Sequence, residues 1–189
     1  AVEHPIQADI VCSVPDSGEI YNYGVARALS IPVGKGIFRS RYFTTRAFMS
    51  PRETDRKALV RRKLYILREV VHGKRVIITE DSIVRGDTSP EVTAMLREAG
   101  AAEVHELVGS APLRWPCFLG IDLAARVELV AAGLTEEEVR RSIQADSLGY
   151  LSLEGMIGAS GLPRENLCLG CFIGREGYPI EPPLEIINS

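Results

Sequence analysis

The stretch that decides the fold reads RVIITEDSIVRGDTS and covers residues 75–89. The apolar and β-branched run at its start predicts a buried strand over residues 75–79. Two adjacent acids, Glu80 and Asp81, follow the strand, and a glycine-containing loop follows them. A strand that ends in acids and leads through a loop into a helix is typical of a ligand site at the carboxyl edge of a parallel sheet.

The segment after this loop predicts a helix over residues 90–99, with an apolar stripe along one face. Thr88 and Glu91 have the spacing of a capping box at its start, and Gly100 is suited to its end. A second apolar run, at 104–108, predicts the next strand. Strand, helix and strand at this spacing indicate a right-handed crossover between parallel strands.

The rest of the chain continues this alternation. Residues 9–14 predict a strand and residues 19–29 a helix. Thr135 and Glu138 have capping-box spacing for another helix, and residues 147–159 predict a third. We therefore expect an α/β fold with a mainly parallel sheet flanked by helices.

The composition is that of a globular protein. Its 189 residues are 46% hydrophobic and 25% charged, and the mean hydropathy is +0.04. These values exclude a collagen-like, disordered or coiled-coil chain, and the length allows one sizeable core. No run of 18 apolar residues is present, and the first residues do not form a basic region followed by an apolar stretch. We therefore expect neither a membrane span nor a secretory signal.

Positive charge is concentrated in one part of the chain. Residues 35–75 contain 13 of the 22 Lys and Arg residues, although the whole chain has a net charge of −3. Such a segment attracts a polyanion, either a nucleic acid or a pyrophosphorylated metabolite, unless it is a solvated face. Few aromatic residues are available for stacking on bases, which disfavours nucleic acid. Within the segment, residues 39–57 predict a long irregular loop, which in a compact domain is usually functional or disordered.

The acids and the loop together have the chemistry of a ribose 5-phosphate site. Backbone N–H groups in the first turn of a helix have no partner within the helix, and they bind phosphate readily. Carboxylates beside them suit the vicinal hydroxyls of a ribose and a divalent cation. Alternatively, Glu80 and Asp81 only end a strand and begin a solvated turn. The apolar strand before them and the Gly-x-Thr-Ser sequence after them favour the ligand site.

Three of the four cysteines have a spacing that suggests part of a metal site. Cys168 and Cys171 form a C-x-x-C pair, and Cys117 lies far upstream in the sequence. One ligand is then missing from a set of four. Ordinary buried thiols are the alternative interpretation, and zinc is a further candidate occupant.

Nearly the whole chain resembles the glutamine phosphoribosylpyrophosphate (PRPP) amidotransferase family, and in particular its type I phosphoribosyltransferase domain. The sequence TEDSIVRGDTS, at 79–89, is similar to the PRPP motif of that family. The other matching segments, in chain order, are VPDSG at 14–18, RSRY at 39–42, RRKL at 61–64, LREVVHGKRVII at 67–78, MLREAGAAEVH at 95–105, PCFLGID at 116–122, ADSLGYLSLEG at 145–155 and CLGCF at 168–172.

This resemblance implies which residues form the site. Residues matching Ser17, Glu80 and Asp81 are associated with Mg²⁺ and PRPP in the family, and the loop from Pro15 to Gly18 faces the pyrophosphate. The PRPP-binding residues implied in this way are Asp16, Ser17, Gly18, Glu80, Asp81, Ser82, Ile83, Val84, Arg85, Gly86, Asp87, Thr88 and Ser89, with the 5-phosphate held by the backbone of 82–89. Residues 39–57 match the flexible loop of the family, and the implied catalytic residues in it are Arg39, Arg41 and Tyr42.

The activity that the resemblance implies is Mg²⁺-dependent transfer of phosphoribosyl from PRPP to ammonia, the first committed step of purine nucleotide biosynthesis. The products are 5-phosphoribosylamine and pyrophosphate. The implied partners are an N-terminal glutaminase domain that frees ammonia from glutamine, purine nucleotide inhibitors, and further copies in a cytoplasmic homo-oligomer. Because no part of the glutaminase domain is present, residues 1–189 are expected to be a phosphoribosyltransferase-domain fragment.

One branch of the family holds a [4Fe–4S] cluster on four cysteines. Cys117, Cys168 and Cys171 match three of those ligands, and the fourth lies upstream of residue 1 in that branch. The resemblance therefore implies an iron–sulfur cluster in the intact parent protein.

The chain also departs from the family pattern. Glu80 stands where the family usually has Asp, Asp87 replaces a Thr beside the implied 5-phosphate, and Ala47 replaces another Thr. We predict that Asp87 weakens PRPP affinity by charge repulsion. The alternative functions are therefore a divergent or inactive PRPP- or nucleotide-binding domain and a type I phosphoribosyltransferase with another acceptor. Val84 stands where base-transferring relatives have an acid, which favours a small amine as acceptor.

Overall fold

The computed structural model describes residues 1–40, 53–121 and 125–183, with only the backbone for residues 53–57. The strands in this part of the chain are β1 (Ile10–Ser13), β2 (Ile37–Arg39), β3 (Leu64–Ile66), β4 (Arg75–Glu80), β5 (Glu103–Val108) and β6 (Ser147–Tyr150). The α-helices are α1 (Glu19–Leu29), α2 (Glu53–Lys63), α3 (Arg68–Val71), α4 (Thr88–Glu98), α5 (Val130–Gly133), α6 (Glu136–Ser142), α7 (Leu153–Ser160) and α8 (Gly170–Ile173). Short 3₁₀ turns occupy Arg126–Glu128, Arg164–Asn166 and Arg175–Gly177.

A four-stranded parallel sheet with the order β1-β4-β5-β6 forms the centre of the fold, which confirms the predicted α/β class. β2 and β3 pair separately as antiparallel strands. β4 is hydrogen-bonded on both edges, because Val76 pairs with Ile10 of β1 and with Val104 of β5. Since all four strands of the sheet run the same way, their carboxyl ends meet at one edge.

Helices cover both faces of the sheet, and successive residues of β4 contact opposite layers. Ile78 is packed in the cluster that contains Leu96 of α4, whereas Ile77 belongs to the cluster that includes Leu29 of α1. Both isoleucines are fully buried. This two-sided burial explains why β4 is a continuous apolar run in the sequence.

The first turn of α4 differs from its prediction. The helix begins at Thr88, with Asp87 as the N-cap residue and no side-chain cap hydrogen bond, so the predicted capping box between Thr88 and Glu91 is wrong. Glu91 instead accepts a hydrogen bond from Arg61 of α2, at 2.6 Å. A long-range ion pair has therefore replaced the local cap that the spacing suggested.

The carboxyl end of α4 is confirmed, because Gly100 follows it with φ +90°. The N–H groups of Gly100 and Ala101 donate to the carbonyls of Arg97 and Leu96, at 2.9 and 3.0 Å, in the pattern of a Schellman motif. This turn sends the chain directly into β5.

The capping box of α6 is also confirmed. The hydroxyl of Thr135 accepts from the N–H of Glu138, at 3.3 Å, and the Glu138 carboxylate accepts from the N–H of Thr135, at 2.8 Å.

The predicted helix over 147–159 is wrong in its first part. Residues Ser147–Tyr150 form β6, and the helix there is α7, Leu153–Ser160, which is capped by the Ser152 hydroxyl. The strand is only four residues long and depends on pairing with β5, a contact that no local pattern reveals. None of the described helices is long and apolar enough to cross a membrane.

Candidate active site

The loop over residues 14–18 is fastened to the carboxyl end of β4. The N–H of Val14 donates to the carbonyl of Thr79 at 3.1 Å, and the Thr79 hydroxyl donates to the carbonyl of Gly18 at 3.0 Å. A Cβ atom on Gly18 would lie 2.2 Å from the Thr79 carbonyl oxygen, so this approach requires glycine. The predicted pyrophosphate loop and the predicted acid pair therefore share one edge of the sheet.

An exposed ion pair joins this loop to β2. Arg39 donates to the Asp16 carboxylate at 2.7 Å, and the Asp16 and Ser17 side chains are exposed. An ion pair of this kind contributes at most about 1 kcal/mol in water, so Arg39 can exchange Asp16 for an incoming anion at little cost. The irregular loop predicted over 39–57 is wrong at both ends, because Arg39 is the last residue of β2 and residues 53–57 begin α2. Arg41 and Tyr42 lie outside the described residues.

The two adjacent acids at the end of β4 have different environments. The Glu80 side chain is buried, whereas Asp81 is exposed and accepts a hydrogen bond from the N–H of Ser82, at 2.9 Å. Burial, followed by the nearby charges of Glu106 and Asp81, holds the pKa of Glu80 well above its usual range. Consequently, Asp81 is the acid that presents a carboxylate to solvent at this edge.

Sequence reasoning missed a third acid, Glu106 of β5. It is fully buried, and its Oε1 accepts a hydrogen bond from the Ser89 hydroxyl at 2.8 Å. Burial raises the pKa of Glu106 to about 7, although the Ser89 hydrogen bond opposes that shift. The period-2 pattern could have found it, because Glu106 lies on the same face of β5 as the buried Val104 and Val108.

The predicted phosphate loop, residues 82–89, is shaped by contacts with the body of the fold. Ile83 is buried in a cluster with Val108, and the Val84 carbonyl accepts from the N–H of Val130 at 2.9 Å. Arg85 forms an ion pair with Glu128 at 2.8 Å, so it is directed towards the 3₁₀ turn.

The loop then reaches α4 through a turn. Gly86 has φ +72°, a backbone conformation that favours glycine, and Asp87 and Thr88 follow it into the first turn of α4. The loop thus leads from an acid pair to a helix N-terminus, as the ribose 5-phosphate hypothesis requires.

The positive charge of residues 35–75 is partly paired with carboxylates of the same chain. Arg61 pairs with Glu91 and Glu98 of α4, and Arg75 pairs with Asp9 at the opposite edge of the sheet, at 2.8 Å. Lys63 is buried, and burial lowers the pKa of its ammonium. These contacts weaken the argument that the whole segment is a binding surface for a polyanion.

Three cysteines meet where the C-terminal part of the chain packs on residues 111–118. The N–H groups of Arg114 and Trp115 donate to the carbonyl of Cys171, at 2.9 and 3.0 Å. Burial, followed by the neighbouring Cys117 and Cys168, raises the pKa of the Cys171 thiol to about 12. Cys117 and Cys168 are therefore near enough to Cys171 to shift its pKa, but the three thiols do not form a metal-binding group among the described residues.

The donor atoms fit the implied metals by type. Soft thiols at Cys117, Cys168 and Cys171 suit an iron–sulfur cluster, and oxygens at Ser17 and Asp81 suit Mg²⁺. Among the residues with described positions, however, no three His, Cys, Asp or Glu side chains are arranged closely enough to hold a metal ion. Both metal sites remain predictions.

Comparison with known proteins gives long matches at high identity. No protein-family model matches the chain. An amidophosphoribosyltransferase of Mycobacterium tuberculosis is 45% identical over 190 residues, which cover 98% of this chain and 36% of that protein. One from Methanocaldococcus jannaschii is 44% identical over 187 residues, which cover 99% of this chain and 39% of that protein. The chain thus spans somewhat more than a third of the length of these relatives.

A solved structure agrees with the sequence matches. The glutamine PRPP amidotransferase from B. subtilis, complexed with ADP and GMP, superposes with a TM-score of 0.82 and 42% identity. The match covers 98% of this chain and 41% of that chain.

The parallel sheet, the acids after β4 and the loop that opens α4 define an α/β protein of the type I phosphoribosyltransferase class. Within that class, nearly the whole chain is similar to one segment of the amidophosphoribosyltransferases, at 42–45% identity.

Proposed function

We propose that this chain binds PRPP at the carboxyl edge of β1 and β4 and transfers its phosphoribosyl group to ammonia. The observation that carries the proposal is the junction from β4 to α4, where an exposed carboxylate is followed by a loop and a helix N-terminus. The loop over 14–18 hydrogen bonds to Thr79 beside that junction and forms the other side of the proposed binding site.

Each part of this edge suits a different part of the substrate. The first turn of α4 and the backbone of 82–89 would hold the 5-phosphate, and Asp81 would bind the ribose hydroxyls. The backbone of the loop from Pro15 to Gly18 would face the pyrophosphate, and Arg39 would leave Asp16 to bind it. Mg²⁺, held by Asp81 and Ser17 with Glu80 as the third predicted contributor, would neutralise charge on the leaving pyrophosphate.

The transfer breaks the bond between C1 of the ribose and the pyrophosphate oxygen. A bond from the ammonia nitrogen to C1 forms, and the ammonium that results releases one proton to water. Negative charge grows on the leaving group, so the part of this chain is electrostatic stabilisation and orientation. Val84, within the loop, offers no carboxylate to a purine base, which supports a small amine as the acceptor.

The resemblance to amidophosphoribosyltransferases implies further properties of the parent protein, which we include in the proposal. We propose that glutamine is the ammonia source through a glutaminase domain of the parent protein. Purine nucleotides would inhibit at this edge, as the complex of the B. subtilis protein with ADP and GMP suggests. A [4Fe–4S] cluster on Cys117, Cys168 and Cys171, a homo-oligomer, and a cytoplasmic location complete the proposal.

Calorimetric titration of PRPP with Mg²⁺ tests this proposal on the 189-residue chain. We expect binding in the wild type and its loss in Asp81→Asn. Asp9→Asn is the matched control, because Asp9 pairs with Arg75 at the opposite edge of the sheet and should leave binding unchanged.

A second assay separates the candidate functions. Release of pyrophosphate on addition of ammonia identifies the enzyme. Binding of PRPP without that release would identify a divergent binding domain. The absence of Mg²⁺-dependent binding in the wild type would refute the assignment of the site.

A further inference from the structure

Glu106 is an acid buried in the core directly behind the proposed phosphate loop. It lies on β5 between two buried valines, Val104 and Val108, and its side chain is fully buried. Its Oε1 accepts the hydrogen bond from Ser89, while its Oε2 has no partner among the described residues. An apolar side chain at this position would avoid the cost of burying a carboxyl group with one unsatisfied oxygen.

Two other buried hydroxyls lie on elements near Glu106, one on α4 and one on β6. The hydroxyls of Thr93, one turn after Ser89 on α4, and of Tyr150 on β6 are buried, and they too have no hydrogen-bond partner in the described structure. Packing of the core does not require polar groups at Glu106, Thr93 and Tyr150. Among the described residues, the one hydrogen bond of Glu106 is to Ser89, which is the last residue of the proposed phosphate loop and the second residue of α4.

The contact links elements that are distant in sequence. Ser89 and Glu106 are 17 residues apart, and the bond between their side chains fixes the start of α4 against the middle of β5. The position of that first turn relative to Asp81 sets the distance between the proposed 5-phosphate and ribose subsites. A displacement of about 1 Å in such a geometry is enough to weaken binding strongly.

We propose that Glu106 is a positioning residue, which holds the first turn of α4 through Ser89 so that the turn receives the 5-phosphate of PRPP. This inference rests on the proposed function of the site. It assigns to Glu106 no contact with substrate. The acceptor oxygen of its carboxyl group is what matters, and an amide oxygen should serve equally well.

The test uses Glu106→Met, Glu106→Gln and Ser89→Ala in the 189-residue chain, with ribose 5-phosphate and Mg²⁺-pyrophosphate as separate probes. We expect Glu106→Met to bind ribose 5-phosphate about tenfold more weakly, because a lost buried hydrogen bond displaces the turn. Pyrophosphate binding at the loop over 14–18 should be unchanged. Glu106→Gln should stay within about threefold of the wild type, since it keeps the acceptor.

Stability separates positioning from general damage. Because the double variant Ser89→Ala/Glu106→Met removes both partners of the buried hydrogen bond, its unfolding temperature should not fall even though ribose 5-phosphate affinity does. Glu103→Gln, at an exposed position of the same strand, is the control and should change neither property, because an amide oxygen can still accept the hydrogen bond from His105. The double variant Ser89→Ala/Glu106→Met should bind no more weakly than either single variant, since both act through one bond.

Four results would overturn the inference. Wild-type affinity for ribose 5-phosphate in Glu106→Met, or an equal loss for both probes, would show that Glu106 does not position the turn. If Glu106→Met does not fold, unchanged affinity in Ser89→Ala would show the same. Failure of the wild type to bind ribose 5-phosphate and PRPP would refute the proposed function itself, and this inference with it.

Discussion

Gly18→Ala is the substitution for which the structure gives the most definite effect. The new Cβ atom would lie 2.2 Å from the Thr79 carbonyl oxygen and 2.8 Å from that of Val14, both of them backbone atoms. Contacts of a Cβ atom below 3.0 Å are essentially never seen, so the start of α1 must move by about 0.8 Å or β4 must yield. Overpacking of this kind costs roughly 3 kcal/mol, near the upper end of its usual range.

That cost corresponds to a fall of about 6–12 °C in Tm for a chain of this length. Thermal unfolding followed by circular dichroism measures it, and calorimetry should show weaker PRPP binding, because the proposed pyrophosphate loop moves with α1. Gly24→Ala is the matched control in the same helix, since nothing lies within 4 Å of the new atom. It should raise stability by about 0.5–1 kcal/mol. A Tm for Gly18→Ala equal to that of the wild type would refute the reasoning about close approach.

Three further predictions concern single side chains. Asp87→Thr should strengthen PRPP binding by about three- to tenfold in calorimetry, because it removes a carboxylate from the proposed phosphate turn; an unchanged dissociation constant would contradict this. As the pH rises from about 4.5 to 7, the free energy of unfolding of the wild type, measured in urea, should fall. Over that interval the unfolded chain ionises Glu106, whereas the folded chain, in which the pKa of Glu106 is raised, does not. The free energy of unfolding of Glu106→Gln should fall less over that interval. The same pH dependence in the variant and the wild type would contradict the assignment of this effect to Glu106. Thr135→Ala should cost about 1 kcal/mol in urea unfolding by breaking the α6 capping box, whereas Thr135→Ser should cost little; equal losses would point away from the cap.

Local patterns predicted the elements that depend on local physics. The apolar run of β4, the helix α1 and the capping box at Thr135 appear where the sequence places them. So does the glycine turn at Gly100, which needs a positive φ.

The predictions that are wrong concern segments whose structure depends on contacts with residues distant in the sequence. β6 exists because it pairs with β5, and Glu91 leaves the predicted capping box because Arg61 binds it across 30 positions of sequence. The same limit explains the differences within the site. Glu80 and Asp81 are alike in the sequence, and only the layer formed by α4 buries one of them.

The position of β4 in the sheet has a consequence for how variants of this protein can be studied. β4 is hydrogen-bonded to β1 on one side and to β5 on the other, whereas residues 81–87 belong to no strand or helix. Amide protons of β4 should therefore exchange only through global unfolding, and those of the following turn through local opening. Substrate affinity and chain stability are then separable quantities at this edge. Substitutions in residues 81–87 can change substrate affinity without changing chain stability, whereas substitutions in β4 must change both.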